Sequence, residues 1–203
     1  MSHKPPSAPT PLTFPDDPQP WQVLSTVYLY RHDWLTVRRD HVRLPSGTEI
    51  QEYFVTEFRP WVNAIAVTRD DRMVLVRQYR HGRKSIHFEL PAGTTDAGEE
   101  NDLEAAARRE LLEETGYGGG EWSLQTVVSA NPALNDNLTY TFIAKDVELI
   151  QPPNPEASED LRVHLVPVAE LADLLRRGGF IQSLHISALW QYLYDRLLEV
   201  RQP

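Results

Sequence analysis

Arg109-Glu110-Leu111-Leu112-Glu113-Glu114-Thr115-Gly116-Tyr117 is the stretch that decides the fold, and it closes a longer segment opened by Gly93. The segment reads as a helix. Asn101 is a candidate N-cap with Glu104 as its back-bonding partner, Ala105 to Leu112 are nearly all strong helix formers, and Gly116 stands where a left-handed cap ends the run. At 100° per residue Leu103, Ala106, Ala107 and Leu111 make an apolar stripe that faces a core.

Glu110 and Glu114 fall inside that stripe. Two carboxylates one turn apart on a buried face repel each other and lose hydration, so a positive charge must lie between them. A divalent cation fits, because hard oxygen donors suit Mg²⁺ or, as an alternative, Mn²⁺, and Glu113 borders the same face as a third ligand. A solvated acidic face paired with Arg108 and Arg109 is the ordinary alternative, against which the apolar stripe and flanking glycines argue.

The run from Arg109 to Tyr117 resembles, position by position, the second half of the Nudix box, and Gly93 in Glu89-Leu90-Pro91-Ala92-Gly93 resembles the glycine that opens it. There is one departure. Nine residues separate Glu99 from Arg109 where the family has seven, so two extra residues lie in the loop or at the helix start, while the spacing of Glu110, Glu113 and Glu114 is unaltered.

The rest of the composition bounds the problem. A chain of 203 residues supports one good core plus a small appended domain. A net charge of −9 opposes general nucleic-acid binding, which needs a basic footprint. No apolar run is long enough to span a membrane. Residues 1–20 hold seven of the sixteen prolines and no apolar signal-peptide core, which reads as a disordered tail. The absence of cysteine rules out disulfides and thiolate metal sites and is compatible with a cytoplasmic location.

Taken in order, residues 21–58 carry three strand-like runs, Gln22 to Tyr30, Leu35 to Leu44 and Glu49 to Phe58. Three antiparallel strands make a poor domain alone, so they must pack on the main domain or on a second subunit. From residue 59 to 203 short buried strands alternate with few helices: Val62 to Thr68 and Met73 to Gln78 as a hairpin, Ile86 to Leu90, the helix, a flexible link at Gly118-Gly119-Gly120, then Trp122 to Ala130, Thr139 to Lys145 and Leu161 to Val166. A short helix from Ala169 to Arg177 and a last one from Ser183 to Val200 complete an α/β/α sandwich around a mixed sheet.

This layout resembles the ADP-ribose pyrophosphatase and nucleoside-diphosphate-sugar hydrolase branch of the Nudix family, through Val76-Arg77-Gln78-Tyr79-Arg80, Pro132 and Glu159-Asp160-Leu161-Arg162-Val163-His164. The resemblance implies a Nudix fold with a small N-terminal antiparallel sheet exchanged in a homodimer. It also implies cleavage of a diphosphate into two monophosphates, with Glu110, Glu113, Glu114 and the Ala92 carbonyl as metal ligands and Glu159 as general base. Arg109 supports the ligands by pairing with a carboxylate, Glu99 being the candidate. Arg77 and Arg80 are candidates for the diphosphate, Trp21 and Trp34 (with Trp61) for stacking on the nucleotide base, and Pro132 and Asn137 for the loop that other members use at the substrate. A nucleoside-triphosphate or dinucleoside-polyphosphate hydrolase is the competing enzyme, opposed by Pro132 and the N-terminal sheet. A non-catalytic ADP-ribose sensor is the competing module, opposed by the retention of all three glutamates.

Overall fold

The computed structural model describes residues 12–96, 99, 101–157 and 159–201. These divide into two compact units, one made of residues 12–59 with Ser129–Leu138 and the other of Pro60–Val128 with Thr139 onward.

In the first unit β1 (Gln22–His32), β2 (Leu35–Arg43) and β3 (Glu49–Glu57) form a three-stranded antiparallel meander. Most of the expected tail, residues 1–11, lies outside the described residues; residues 12–20 are exposed, with a turn closed by the Asp17 amide on the Phe14 carbonyl. The loop Ser129–Leu138 is tied to β3. Thr56 N–H donates to the Leu134 carbonyl at 2.8 Å, and the Tyr53 hydroxyl donates to the Ala133 carbonyl at 2.8 Å.

The second unit is built on β4 (Trp61–Thr68), β5 (Arg72–Arg80), β10 (Thr139–Leu149) and β11 (Leu161–Pro167), in the order β11-β5-β4-β10. β10 runs parallel to β4 and the other pairings are antiparallel, which makes the sheet mixed. The short strands β8 (Tyr117–Gly118) and β9 (Glu121–Val128) flank β10. The stretch 118–120 is therefore no slack linker, since Gly118 is in β8, the Gly119 carbonyl accepts from the Trp122 indole at 2.7 Å, and a Cβ on Gly120 would overlap the Lys145 carbonyl.

Period-two alternation splits the core between the two faces. Ile65, Val67, Met73 and Leu75 point to α2 (Leu171–Arg176), preceded by a short 3₁₀ turn, and to α3 (Ser183–Arg201). Ala64, Ala66 and Val74 point the other way, to Leu111 of α1 (Leu103–Thr115). The stripe Leu103, Ala106, Ala107 and Leu111 is buried as its spacing requires.

Two local features place α1. Asp102, and not Asn101, caps it, with Oδ1 accepting from Ala105 N–H at 3.1 Å, and Glu104 turns to Arg108 instead of back-bonding. The shift follows from chain geometry, because an N-cap carboxylate must reach the amide three residues on, and Asp102 is one residue nearer the first helical turn. Gly116 closes the helix at φ 77°, and its amide donates to Leu112 O at 2.8 Å.

The sheet also opens where the site will lie. β4 and β5 pair only at Ala66–Val74 and Val67–Met73, then part. The end of β5 pairs with β6 (Ser85–Glu89) and the start of β4 with β7 (Ala92–Thr94), so Leu90-Pro91 crosses the gap and leaves Glu89 on one side and Ala92 on the other.

Candidate active site

The face of α1 that closes on β7 carries the three box glutamates. Glu114 is 1% exposed, and its Oε2 accepts the Ala92 amide at 3.1 Å. Glu110 lies against Gly93 so closely that a Cβ there would overlap its carboxylate, which is why that position has no side chain. Glu113 is more open and meets Nη1 of Arg109 at 2.9 Å.

Arg109 is the hub of the site. Its Nε and Nη2 engage both oxygens of Glu99 at 3.1 and 3.0 Å, Nη1 lies 3.1 Å from Glu110, and Nη2 also donates to the Thr94 carbonyl at 3.1 Å. The longer loop thus still delivers Glu99 to the helix. The fork raises the Arg109 pKa and lowers that of Glu99.

Burial dominates the carboxylates themselves. Desolvation first, opposed by Arg109 and aided by the charges of Glu159 and Glu113, pushes Glu110 up to about 7. Desolvation, then Glu159 and Glu110, pushes Glu114 up to about 9, against the smaller pull of the Ala92 amide and Arg80. Glu159, after the proline-stiffened loop, is therefore within electrostatic reach of both. Its own side chain accepts the Glu156 amide at 3.1 Å.

Does this donor set suit a divalent ion? Among the described residues no three acidic or imidazole groups already converge as a cage, because Arg109 draws Glu110 and Glu113 to itself. The chemistry of the site still fits one. Among the described residues buried Glu114 has no ion-pair partner, burial pushes the Glu110 pKa up beside it, and the donors are all hard oxygens around a glycine.

Arg80 and Arg77 separate. Arg80 lies with Val76 and Glu89 on the α1 face, and its guanidinium forks onto Glu89 at 2.9 and 2.5 Å. Arg77 has the opposite parity and lies over the Phe88 ring at 4.9 Å, on the α2/α3 face. It is thus not brought to the carboxylates: residues an odd number of steps apart on a strand point to opposite faces, so Arg77 and Arg80 cannot serve one face.

Trp21, Trp34, Pro132 and Asn137 belong to the other unit. Trp21 meets Tyr53 edge-on at 5.7 Å, Trp34 is exposed in the turn between β1 and β2, and Pro132 is exposed in its loop. Asn137 is buried, with its amide donating to the Arg59 carbonyl at 3.1 Å.

A model of the NUDIX domain matches residues 57–184. The chain belongs to the Nudix family. The described architecture agrees: a mixed sheet between helices, with the Nudix helix α1 docked on one face. A second model, for the nucleoside diphosphate sugar hydrolase N-terminal domain, matches residues 21–56, the antiparallel meander. The chain is 30% identical over 171 residues, 83% of its length and 81% of the relative's, to a protein of Mycobacterium tuberculosis named ADP-ribose pyrophosphatase. It is 32% identical over 156 residues, 75% of its length and 73% of the relative's, to a CMP-5'-(N-acetyl-N-hydroxy-3-aminopropyl)phosphonate hydrolase of Streptomyces rubellomurinus. A crystal structure of an ADP compounds hydrolase shares the Nudix fold at a TM-score of 0.77 and 22% identity, covering 93% of this chain and 100% of that one.

Reading the sequence for Nudix ligands misses Glu89, Gln78 and His185. A signal for the first was present: an acid inside the apolar run Ile86 to Leu90 must be buried and must find a cation. For His185, whose Nδ1 accepts the Leu90 amide at 3.3 Å from α3, sequence holds no such signal, because the pairing spans distant parts of the chain.

Proposed function

We propose that this Nudix protein hydrolyses the diphosphate of ADP-ribose or a related nucleoside diphosphate sugar, giving a nucleoside monophosphate and a sugar phosphate. The observation that carries the reading is the pair on α1 formed by half-buried Glu110, set against Gly93, and buried Glu114, which among the described residues has no basic side chain in an ion pair with it. The substrate class is supported by the names of the relatives and by the matched N-terminal domain.

Glu110, Glu113, Glu114 and the Ala92 carbonyl would hold Mg²⁺, with Mn²⁺ as an alternative. Bound there, the ion offsets phosphate charge and lowers the pKa of water. Arg109 holds Glu110 and Glu113 in place through the Glu99 fork, and Arg80 offers a guanidinium to a diphosphate oxygen. Glu159, whose charge is felt by both buried glutamates, takes the proton of the attacking water. One P–O bond forms to water, the bridging P–O bond breaks, and two monophosphates leave.

The domain assignment proposed is a tail over 1–20, a dimerisation sheet over 21–58 and the catalytic domain over 59–203. The meander exposes Trp21, Val23, Val27, Leu29, Tyr30 and Phe54, more apolar surface than a small sheet keeps in water, which supports a homodimer with exchanged N-terminal sheets. Trp21 and Trp34 would stack on the nucleotide base, and the loop of Pro132 and Asn137 would read sugar hydroxyls. Among the described residues no helix is long and apolar enough to cross a membrane, and a cytoplasmic location is proposed.

Incubation with ADP-ribose, ADP-glucose, GDP-mannose, UDP-glucose, ATP and a diadenosine polyphosphate in Mg²⁺ or Mn²⁺, scored for monophosphate release, tests the reading. AMP and ribose 5-phosphate from ADP-ribose are expected. Intact diphosphates beside a consumed triphosphate would overturn it.

A further inference from the structure

Glu89 is a carboxylate with only 4% of its side chain exposed, at the end of β6 between Phe88 and Leu90. It faces one partner above all. Arg80 Nε meets Oε1 at 2.9 Å and Nη2 meets Oε2 at 2.5 Å, with the Gln78 amide at 3.5 Å on the edge of contact. A fork through Nε and Nη2 uses one edge of the planar guanidinium. Among the described residues Nη1 has no partner, and half of the Arg80 side chain is exposed, so the Nη1–Nη2 edge is left for a ligand.

The position of Glu89 is itself fixed. The next amide, Leu90, donates to His185 at 3.3 Å, and the Pro91 carbonyl accepts from Ala64 at 2.9 Å. A carboxylate desolvated in this way adds little to stability even when paired, so the Arg80–Glu89 fork is poorly explained as a stabilising contact alone.

What Arg80 would do without Glu89 is visible next to it. Arg109, on the same face, gathers Glu99, Glu110 and Glu113. Arg80 is already in electrostatic reach of Glu114 and Glu159, and among the described residues no ion pair engages Glu114. A guanidinium released there would close on Glu114 and compete with a divalent ion.

We infer that Glu89 is a positioning residue that holds Arg80 off the metal-binding carboxylates and presents its free edge to the substrate diphosphate. The substrate half of this rests on the diphosphatase reading; the assignment of Arg80 does not.

The test is Mn²⁺ binding to metal-free protein, followed by electron paramagnetic resonance of the free ion, with ADP-ribose binding in EDTA followed by calorimetry. Glu89→Gln is expected to weaken Mn²⁺ binding about tenfold, the size of one competing ion pair in a half-buried site. Adding Arg80→Met to Glu89→Gln is expected to return Mn²⁺ affinity to within about twofold of wild type, since removing one side chain of a coupled pair reverses the effect of losing the other. ADP-ribose binding in EDTA stays weakened in both variants. A role in packing alone predicts that the double variant binds Mn²⁺ no better than the single one, and that result overturns the inference. Unchanged Mn²⁺ affinity in Glu89→Gln overturns it equally. If wild type cleaves no diphosphate, the substrate reading fails, and the Mn²⁺ series, which needs no substrate, still decides where Arg80 belongs.

Discussion

Divalent-ion binding should release protons, and the amount follows from burial. Desolvation, the first cause for both, pushes Glu114 up to about 9 and Glu110 up to about 7. At about pH 7.5 Glu114 is then almost wholly protonated and Glu110 about one-quarter so, and both must ionise to act as ligands, which releases about 1.2 protons per site filled. Calorimetry in buffers of different ionisation enthalpy measures this number directly; it should fall toward about 0.2 in Glu114→Gln and shrink as the pH is raised past 9. The same shifts set stability in chelator. A carboxyl whose folded pKa exceeds its unfolded value of 4.5 favours the folded state most at low pH, and that contribution is lost as pH rises through the folded value. The unfolding free energy in EDTA should therefore fall between about pH 5 and 9, by up to about 1.4 kcal/mol per group per pH unit, with the melting temperature falling alongside it, and Mg²⁺ should flatten the slope. Release of fewer than about 0.3 protons at pH 7.5, with a flat melting profile, would mean that both carboxylates are already ionised without metal, and the desolvation argument would fail.

Gly93→Ala forces the Glu110 carboxylate aside, so kcat should fall on the order of a hundredfold while circular dichroism shows a folded chain. Glu159→Gln should lower kcat by about a hundredfold or more with KM little changed, the mark of a lost general base; turnover near wild type would place the base elsewhere. Leu111→Ala empties a fully buried site between α1 and the sheet and should cost about 3 kcal/mol in urea unfolding, leaving KM unchanged in the protein that remains folded.

Much of this site is local in the chain, which is why the sequence exposes it. Glu110, Glu113 and Glu114 share a helix, so a 3.6-residue period settles their common face, and Leu111 one step away settles that the face is inward. The central strands were equally legible, since β4 and β5 are short apolar runs, buried on both faces and separated by polar turn residues. The N-cap shifted by one residue because Asn101 and Asp102 are both good caps, and only the path of the loop chooses between them.

What sequence could not decide is whatever depends on two distant segments meeting. That Arg80 and not Arg77 shares the carboxylate face follows from the pleat of β5 and the side on which α1 docks. That Glu99 still reaches Arg109 across a longer loop, and that loop 129–138 fastens to β3, are outcomes of three-dimensional closure. The same holds for the charge state of the site. The helix puts the glutamates together, but only burial under the sheet removes the water that would have kept them ionised, and that burial exists only in the folded chain.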